Sequence, residues 1–467
     1  MLEHVEIPPV DPELFRAVLS PAALQAFETG VREARSVLGE RRVWNVNSTA
    51  RGGGVAELLR PLVGYARGAG VDARWVVIGG DAPFFAVTKR IHNRLHGAEG
   101  DGRPLDDAAR RAYEGPLAAG AEELAGLVRR GDVVILHDPQ TAGMAAAVQA
   151  AGATVVWRCH IGLDVPNQIA RSAWDFLRPY VVAADAYVFS RRAFAWDGLD
   201  AGRIHLIAPS IDAFAPKNQE LDADTVAAVL SAAGLVADRD RSAATYRRQD
   251  GSPGRVERRA AMFEDAPLGP DDPVVLQVSR WDALKDPIGV IEGFAAHVPG
   301  AHLVYAGPAV EAVSDDPEGE RVLHESIAAR EALPEEPRGR VHLAALPMED
   351  AEENATIVNA LQRHARVVVQ KSLAEGFGLT VAEAMWKGRP VVASRIGGIQ
   401  DQIADGESGV LLDDPRDLAA YGAALCGLLE DRAAAERIGE QARERVRDEF
   451  LSTRSLLQYL ELIRALA

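Results

Sequence analysis

Cysteine is almost absent. Cys159 and Cys426 are the only two in 467 residues, too few for a disulfide framework or a cysteine-built metal site. No stretch of about 18 apolar residues runs without a charge, which excludes a membrane-spanning helix. The opening Met1-Leu2-Glu3-His4-Val5-Glu6 has neither the basic start nor the apolar middle of a signal peptide, so a cytoplasmic location is expected. Positive charge is outnumbered: 51 Lys+Arg against 68 Asp+Glu leave a net −17, a field that opposes nucleic acid and anionic membranes as partners. The dinucleotide fingerprint G-x-G-x-x-G, the Gly-Lys-Ser/Thr of a P-loop and the G-x-S-x-G elbow of serine hydrolases are all missing. Neither an Asp-x-Asp after a strand nor a His/Cys ligand pairing supports a metal site.

What is present is ordinary globular composition, 48% hydrophobic and 25% charged, in a chain long enough for two large domains or three smaller ones. Short β-branched runs at 42–46, 74–78, 133–136, 154–158, 186–189 and 204–207 alternate with helical patterns such as 55–66 and 121–129. The alternation resumes with runs at 274–278, 302–306, 341–346, 367–370, 391–394 and 409–412, and helical patterns at 286–297 and 380–387. Near-continuous apolar strands separated by helices predict parallel sheets covered on both faces. About six strands on each side of residue 212 predict an α/β protein of two doubly wound Rossmann-like domains, 1–212 and 213–450. The stretch 239–269, rich in Arg, Asp, Gly and Pro, reads as a solvated insertion. The charge pattern of 431–450 reads as a surface helix. Residues 451–467 read as a terminal helix whose apolar side needs a surface, which the first domain can supply.

The most informative stretch is 371–385, a glycine turn between the strand 367–370 and a helix. Gly376 and Gly378 let main-chain N–H groups approach a ligand, and the helix start at Leu379 and Thr380 presents partial positive charge suited to a phosphate. Glu375 before the turn and Glu383 on the helix flank that cradle. One carboxylate can take hexose hydroxyls and the other a nucleotide ribose; alternatively both merely cap and solvate the helix. Arg280 and Lys285 follow the strand 274–278, where open α/β sheets bind ligands. Fixed cations there can neutralise a diphosphate leaving group, though in isolation they read as surface charges.

In the first half, Asn45–Glu57 is again strand, glycine turn and helix, with Arg51, Gly53 and Gly54 at the turn. It serves either to bring amides to a phosphate or sugar oxygen, or simply as a tight turn. His137-Asp138-Pro139-Gln140 and Arg158-Cys159-His160 end two further strands and can orient a sugar hydroxyl. Lys89 and His92, in the stretch 84–93, are acceptor-pocket candidates or a solvated helix face.

Taken together, Glu375-Gly-Phe-Gly with Glu383, and Arg280 with Lys285, resemble the donor site of retaining glycosyltransferases with the GT-B fold in group 4, the glycosyl transferases group 1 family. The motifs at 45–57, 87–93, 137–140, 158–160 and 209–212 resemble its trehalose-forming branch. The resemblance runs from about residue 40 to the C terminus, except for 239–269. It implies two domains facing a central cleft, nucleoside-diphosphate glucose as donor, glucose or trehalose as the other sugar, and no cofactor or metal. It implies that Glu375, Gly376, Phe377 and Gly378 hold the donor glucose, Glu383 the ribose, Arg280 and Lys285 the diphosphate, and Gly53 and Gly54 the donor phosphates. Asp138 and His160, with Arg51, His92, Lys89 and Arg158, would face the reacting sugars. Two positions depart from the pattern: Asp286, where the family commonly has Gly, and Gly162, where its members carry Asp. Another sugar, a sugar phosphate or a polyol as acceptor stays open, as do a nucleotide-sugar-binding role without turnover and a homodimer.

Overall fold

The computed structural model describes residues 2–50, 53–237, 241–309 and 317–466. The chain forms two compact units, one built from residues up to Ile211 together with those from Phe450 onward, the other from Asp212–Glu449. Arg51 lies outside the described residues.

The first unit holds seven strands: β1 (Leu2–His4), β2 (Val43–Asn47), β3 (Ala73–Ile78), β4 (Val133–His137), β5 (Thr154–Cys159), β6 (Ala186–Phe189) and β7 (Ile204–Leu206). They lie in the order β1-β3-β2-β4-β5-β6-β7. All pair in parallel except β1, which runs antiparallel to β3 at the edge. The inner strands are buried along their length because helices cover both faces. Strand order reverses between β2 and β4, so the glycine turn after β2 and His137-Asp138 after β4 come together at the crevice where such sheets bind ligands.

Two elements at the start were not expected, the edge strand β1 and the helix Pro21–Leu38. The helix did carry a signal. Ser20 caps it by accepting from Ala23 N at 3.3 Å, with proline at the first position. The C-terminal helix Ser452–Ala465 packs on Pro21–Leu38 and on Gly54–Gly68.

The second unit adds a small hairpin, β8 (Thr245–Arg247) and β9 (Pro253–Arg255), then β10 (Ala261–Phe263), β11 (Val274–Val278), β12 (His302–Pro308), β13 (Val341–Leu346), β14 (Val367–Gln370), β15 (Val391–Ser394) and β16 (Val410–Leu412). Its main sheet runs β10-β13-β12-β11-β14-β15-β16. The parallel strands follow the 3-2-1-4-5-6 Rossmann order, with the reversal between β11 and β14. The reading of 239–269 as a solvated insertion is corrected here. β10 completes the sheet, antiparallel to β13, and Ala244, Tyr246, Val256 and Leu268 are buried. Runs of three residues between polar turns are too short to show periodicity. The segment is pinned by Glu353, 2% exposed, whose Oε1 accepts from the N–H groups of Glu257 and Arg258 at 2.7 Å each. Its other oxygen meets the Arg258 guanidinium.

Glu353→Ala should therefore lower unfolding stability by about 1–3 kcal/mol, since those amides lose their acceptor. Denaturant melts check this, and an unchanged midpoint would mean that the segment is held elsewhere.

Candidate active site

In the second unit the loops after β11 and β14 stand side by side at the switch point. Gln277, buried at the end of β11, binds both: its Nε2 donates to Lys285 O at 2.8 Å and its Oε1 accepts from Lys371 N at 3.2 Å. Leu373 N donates to Leu284 O at 2.7 Å. These ties place Lys285 Nζ 2.6 Å from Glu375 Oε2, both side chains 14% exposed. Ser372 Oγ adds a longer contact to the same carboxylate oxygen, at 3.4 Å.

Behind Glu375 the chain turns through Gly376-Phe377-Gly378 into the helix Leu379–Trp386. Gly378 has φ +81°, and a Cβ there would stand 3.0 Å from Ile399 Cγ1, so glycine is required twice over. Gln402 Nε2 donates to Phe377 O at 2.5 Å, and Gly398 N donates to Gly376 O at 2.8 Å. With the carbonyls tied back in this way, the turn is rigid. Thr380 Oγ1 donates to Gln370 Oε1 at 3.0 Å, fixing the first turn of the helix.

The other donor-side candidates are spread around this pair. Arg280 is 64% exposed and bonds Asp282 at 2.8 Å. Glu383 is 2% exposed, with Oε1 3.5 Å from Lys217 Nζ. Asp286, next in the chain to Lys285, finds its partners on the helix side. It caps the helix Pro287–His297 and pairs with the buried Lys371. Its φ of +51° is the backbone reason glycine suits that position. Lys371 and Lys387 were not singled out in the sequence, although a lysine ending an apolar strand was a signal for the first. Lys387 Nζ donates to Asn218 Oδ1 and Glu383 O, both at 3.0 Å. Burial pulls its pKa down to about 7, opposed by Glu383.

In the first unit, β4 and β5 end in a polar cluster. His137 Nδ1 is 3.2 Å from His160 Nε2, and His137 Nε2 is 3.2 Å from Asn45 Oδ1 on β2. Arg158 Nε donates to His160 Nε2 at 3.0 Å. His160 N donates to Asp138 Oδ1 at 2.7 Å, and Trp157 Nε1 to Asp138 O at 3.1 Å. Asp138 keeps φ +63°, a conformation rare for a residue with a Cβ and a mark of sites where strain is retained. Burial pushes its carboxyl up to about 7, against the His160 amide. Burial and the Arg158 charge hold His137 down to about 3, and His160 well below the usual imidazole range. The cluster is therefore one permanent cation, two neutral imidazoles and a carboxyl that titrates near neutrality.

Gly53, φ +88°, caps the helix Gly54–Gly68, and a Cβ added there would meet nothing within 4 Å. Lys89 is exposed on the helix Ala82–Leu95, and His92 is half-buried against His96. Gly162 has a local cause: a Cβ there would lie 2.2 Å from Phe194 Cγ. Among the described residues no group of three or more His, Cys, Asp or Glu could hold a metal ion, and no helix is long and apolar enough to cross a membrane.

Among solved structures, a sucrose-phosphate synthase from Thermosynechococcus elongatus matches with TM-score 0.62 and 18% identity, covering 91% of this chain and 99% of that one. A UDP-forming α,α-trehalose-phosphate synthase from Burkholderia xenovorans matches with TM-score 0.64 and 16% identity, over 91% and 99%. The shared architecture is the GT-B fold of glycosyltransferases. Residues 45–196 match the family described as trehalose synthase, N-terminal domain, and residues 258–445 match glycosyl transferases group 1. A trehalose synthase of Rubrobacter xylanophilus is 36% identical over 93% of both chains. One from Pyrococcus horikoshii is 32% identical over 93% of this chain and 92% of its own. A trehalose phosphorylase of Pleurotus pulmonarius is 25% identical, over 86% of this chain and 54% of its own. The chain belongs to the glycosyl transferases group 1 family, in its trehalose synthase branch.

Asp138 also predicts a pH dependence. Its folded-state pKa, about 7, lies above the unfolded value, so it stabilises the fold at low pH and loses that contribution as pH rises through 7. Asp138→Asn keeps the acceptor oxygen and tolerates φ > 0. The melting temperature of the native chain should fall more between pH 5 and 8 than that of Asp138→Asn. Parallel profiles would contradict the assignment.

Proposed function

We propose that this chain is a retaining glucosyltransferase that moves glucose from a nucleoside-diphosphate glucose to the anomeric hydroxyl of free glucose, forming α,α-trehalose reversibly. The observation that carries the donor half is the Lys285–Glu375 pair at the β11/β14 switch point, beside the Gly376-Phe377-Gly378 turn and a helix N terminus. In the proposed reaction Lys285 and Arg280 take the diphosphate, which gathers negative charge as the glucosyl C1–O bond breaks. Glu375 and the turn amides hold the sugar hydroxyls, and Glu383 takes the ribose in place of Lys217. The acceptor oxygen attacks C1 on the face the diphosphate leaves, and its proton passes to the departing diphosphate oxygen. No enzyme nucleophile is needed. Fixed cations do the work of a divalent ion, so activity should survive EDTA.

Asp138 and His160 orient the acceptor, with Arg158 behind them and Arg51, His92 and Lys89 as further contacts. Gly53 and Gly54 present amides to the donor phosphates. Nucleoside-diphosphate glucose and glucose or trehalose are thus the partners. The phosphorylase relative motivates one second reading, in which inorganic phosphate replaces the nucleotide; glucose 1-phosphate formed from trehalose and phosphate would mark it.

The test is incubation with ADP-, UDP- or GDP-glucose and free glucose, with NMR of the product. No disaccharide from any donor would refute the reading. Lys285→Ala and Glu375→Ala should each lower kcat by about 10²-fold or more, and near-normal turnover by either would remove its assigned role.

A further inference from the structure

Arg158 is 2% exposed, and its in-plane hydrogen bonds come from two of its three nitrogens. Nε lies 3.0 Å from His160 Nε2 and 3.4 Å from its Nδ1, and Nη2 donates to Ile207 O at 2.9 Å. Nη1 has no hydrogen-bond partner among the described residues. Two hydrogen bonds define an axis, and rotation about that axis swings the Nε–H out of line with the imidazole unless a third contact opposes it. The Tyr459 side chain supplies one: Arg158 Cζ lies over its ring, 5.6 Å from the centroid, at a range where ring and cation attract.

Tyr459 comes from the far end of the chain. The C-terminal helix is stitched to the segment that follows Ile207. Ile211 N donates to Phe450 O at 2.8 Å and Ser452 N to Ile211 O at 3.1 Å. Arg454 Nη2 reaches Ala208 O and Pro209 O at 3.1 and 3.2 Å. One short stretch therefore anchors both the guanidinium and the helix that delivers the ring. His137, Arg158, His160, Ser210, Ser455 and Tyr459 line the same small hollow.

We propose that Tyr459 is a positioning residue for the acceptor half of the reaction: its ring holds the Arg158 guanidinium in the orientation that keeps Nε on the His160 imidazole. This rests on the transfer reaction proposed above. The C-terminal helix thereby does more than cover the apolar surface of the helices Pro21–Leu38 and Gly54–Gly68.

The test uses the full chain with Tyr459→Leu, Tyr459→Met and Tyr459→Phe, in two measurements. In ligand-free protein with 15N-labelled histidine, ring spectra should show the His160 resonances displaced in the Leu and Met variants and restored in Phe. The side chains facing that ring are His137 and Arg158, while Asp138 meets the His160 main-chain N–H. In the transfer assay, Leu and Met should lower kcat on the order of 10-fold to 100-fold with donor KM little changed, and Phe should recover most of it. Wild-type His160 spectra in Leu and Met would overturn the proposal, as would Phe proving as damaging as Leu. If wild-type protein transfers glucose to nothing, the functional reading fails while the spectra still decide the role of Tyr459.

Discussion

Each unit depends on one constraint of parallel sheets: where strand order reverses, the helices on either side leave in opposite directions, and the carboxyl ends of two neighbouring strands are left uncovered. The second unit fills that gap with the Gln277 amide, which reads the backbone of both flanking loops. Lys285 and Glu375, ninety residues apart, are brought within 2.6 Å only because those loops are tied together. The first unit fills the equivalent gap with Asn45 of β2 and His137 of β4, joined by His160, which follows β5.

The two gaps use charge differently. In the second unit Lys285 and Glu375 are paired and partly exposed, an arrangement that can exchange one partner for a charged ligand. In the first unit, burial dominates: the imidazoles stay neutral, Arg158 alone is charged, and Asp138 is shifted toward neutrality. A buried charge is costly unless it is hydrogen-bonded, and Arg158 meets that requirement through His160, Ile207 O and the Tyr459 ring.

Much of this was legible in residue order. The apolar strands, the glycine turn around Gly376 and the cations after β11 all announce themselves over a few residues, because strand burial, glycine geometry and helix polarity are local properties. Less was legible where pairing is distant. The strands of 245–263 are three residues each and gain their identity from β13 and Glu353. Lys217 and Lys387 look like ordinary surface lysines until Glu383 and Asn218 are seen around them. Gly162 reads as a departure from family pattern, and only Phe194 explains it.

By itself the amino-acid order determined two doubly wound domains, a phosphate-suited glycine turn and the residue types at each strand end, since all follow from short-range periodicity and backbone freedom. The tertiary structure alone decided which charges meet, which are buried, and that Tyr459 near the C terminus stands on Arg158. Electrostatic strength depends on separation and on water exclusion, and neither quantity exists until the chain has folded.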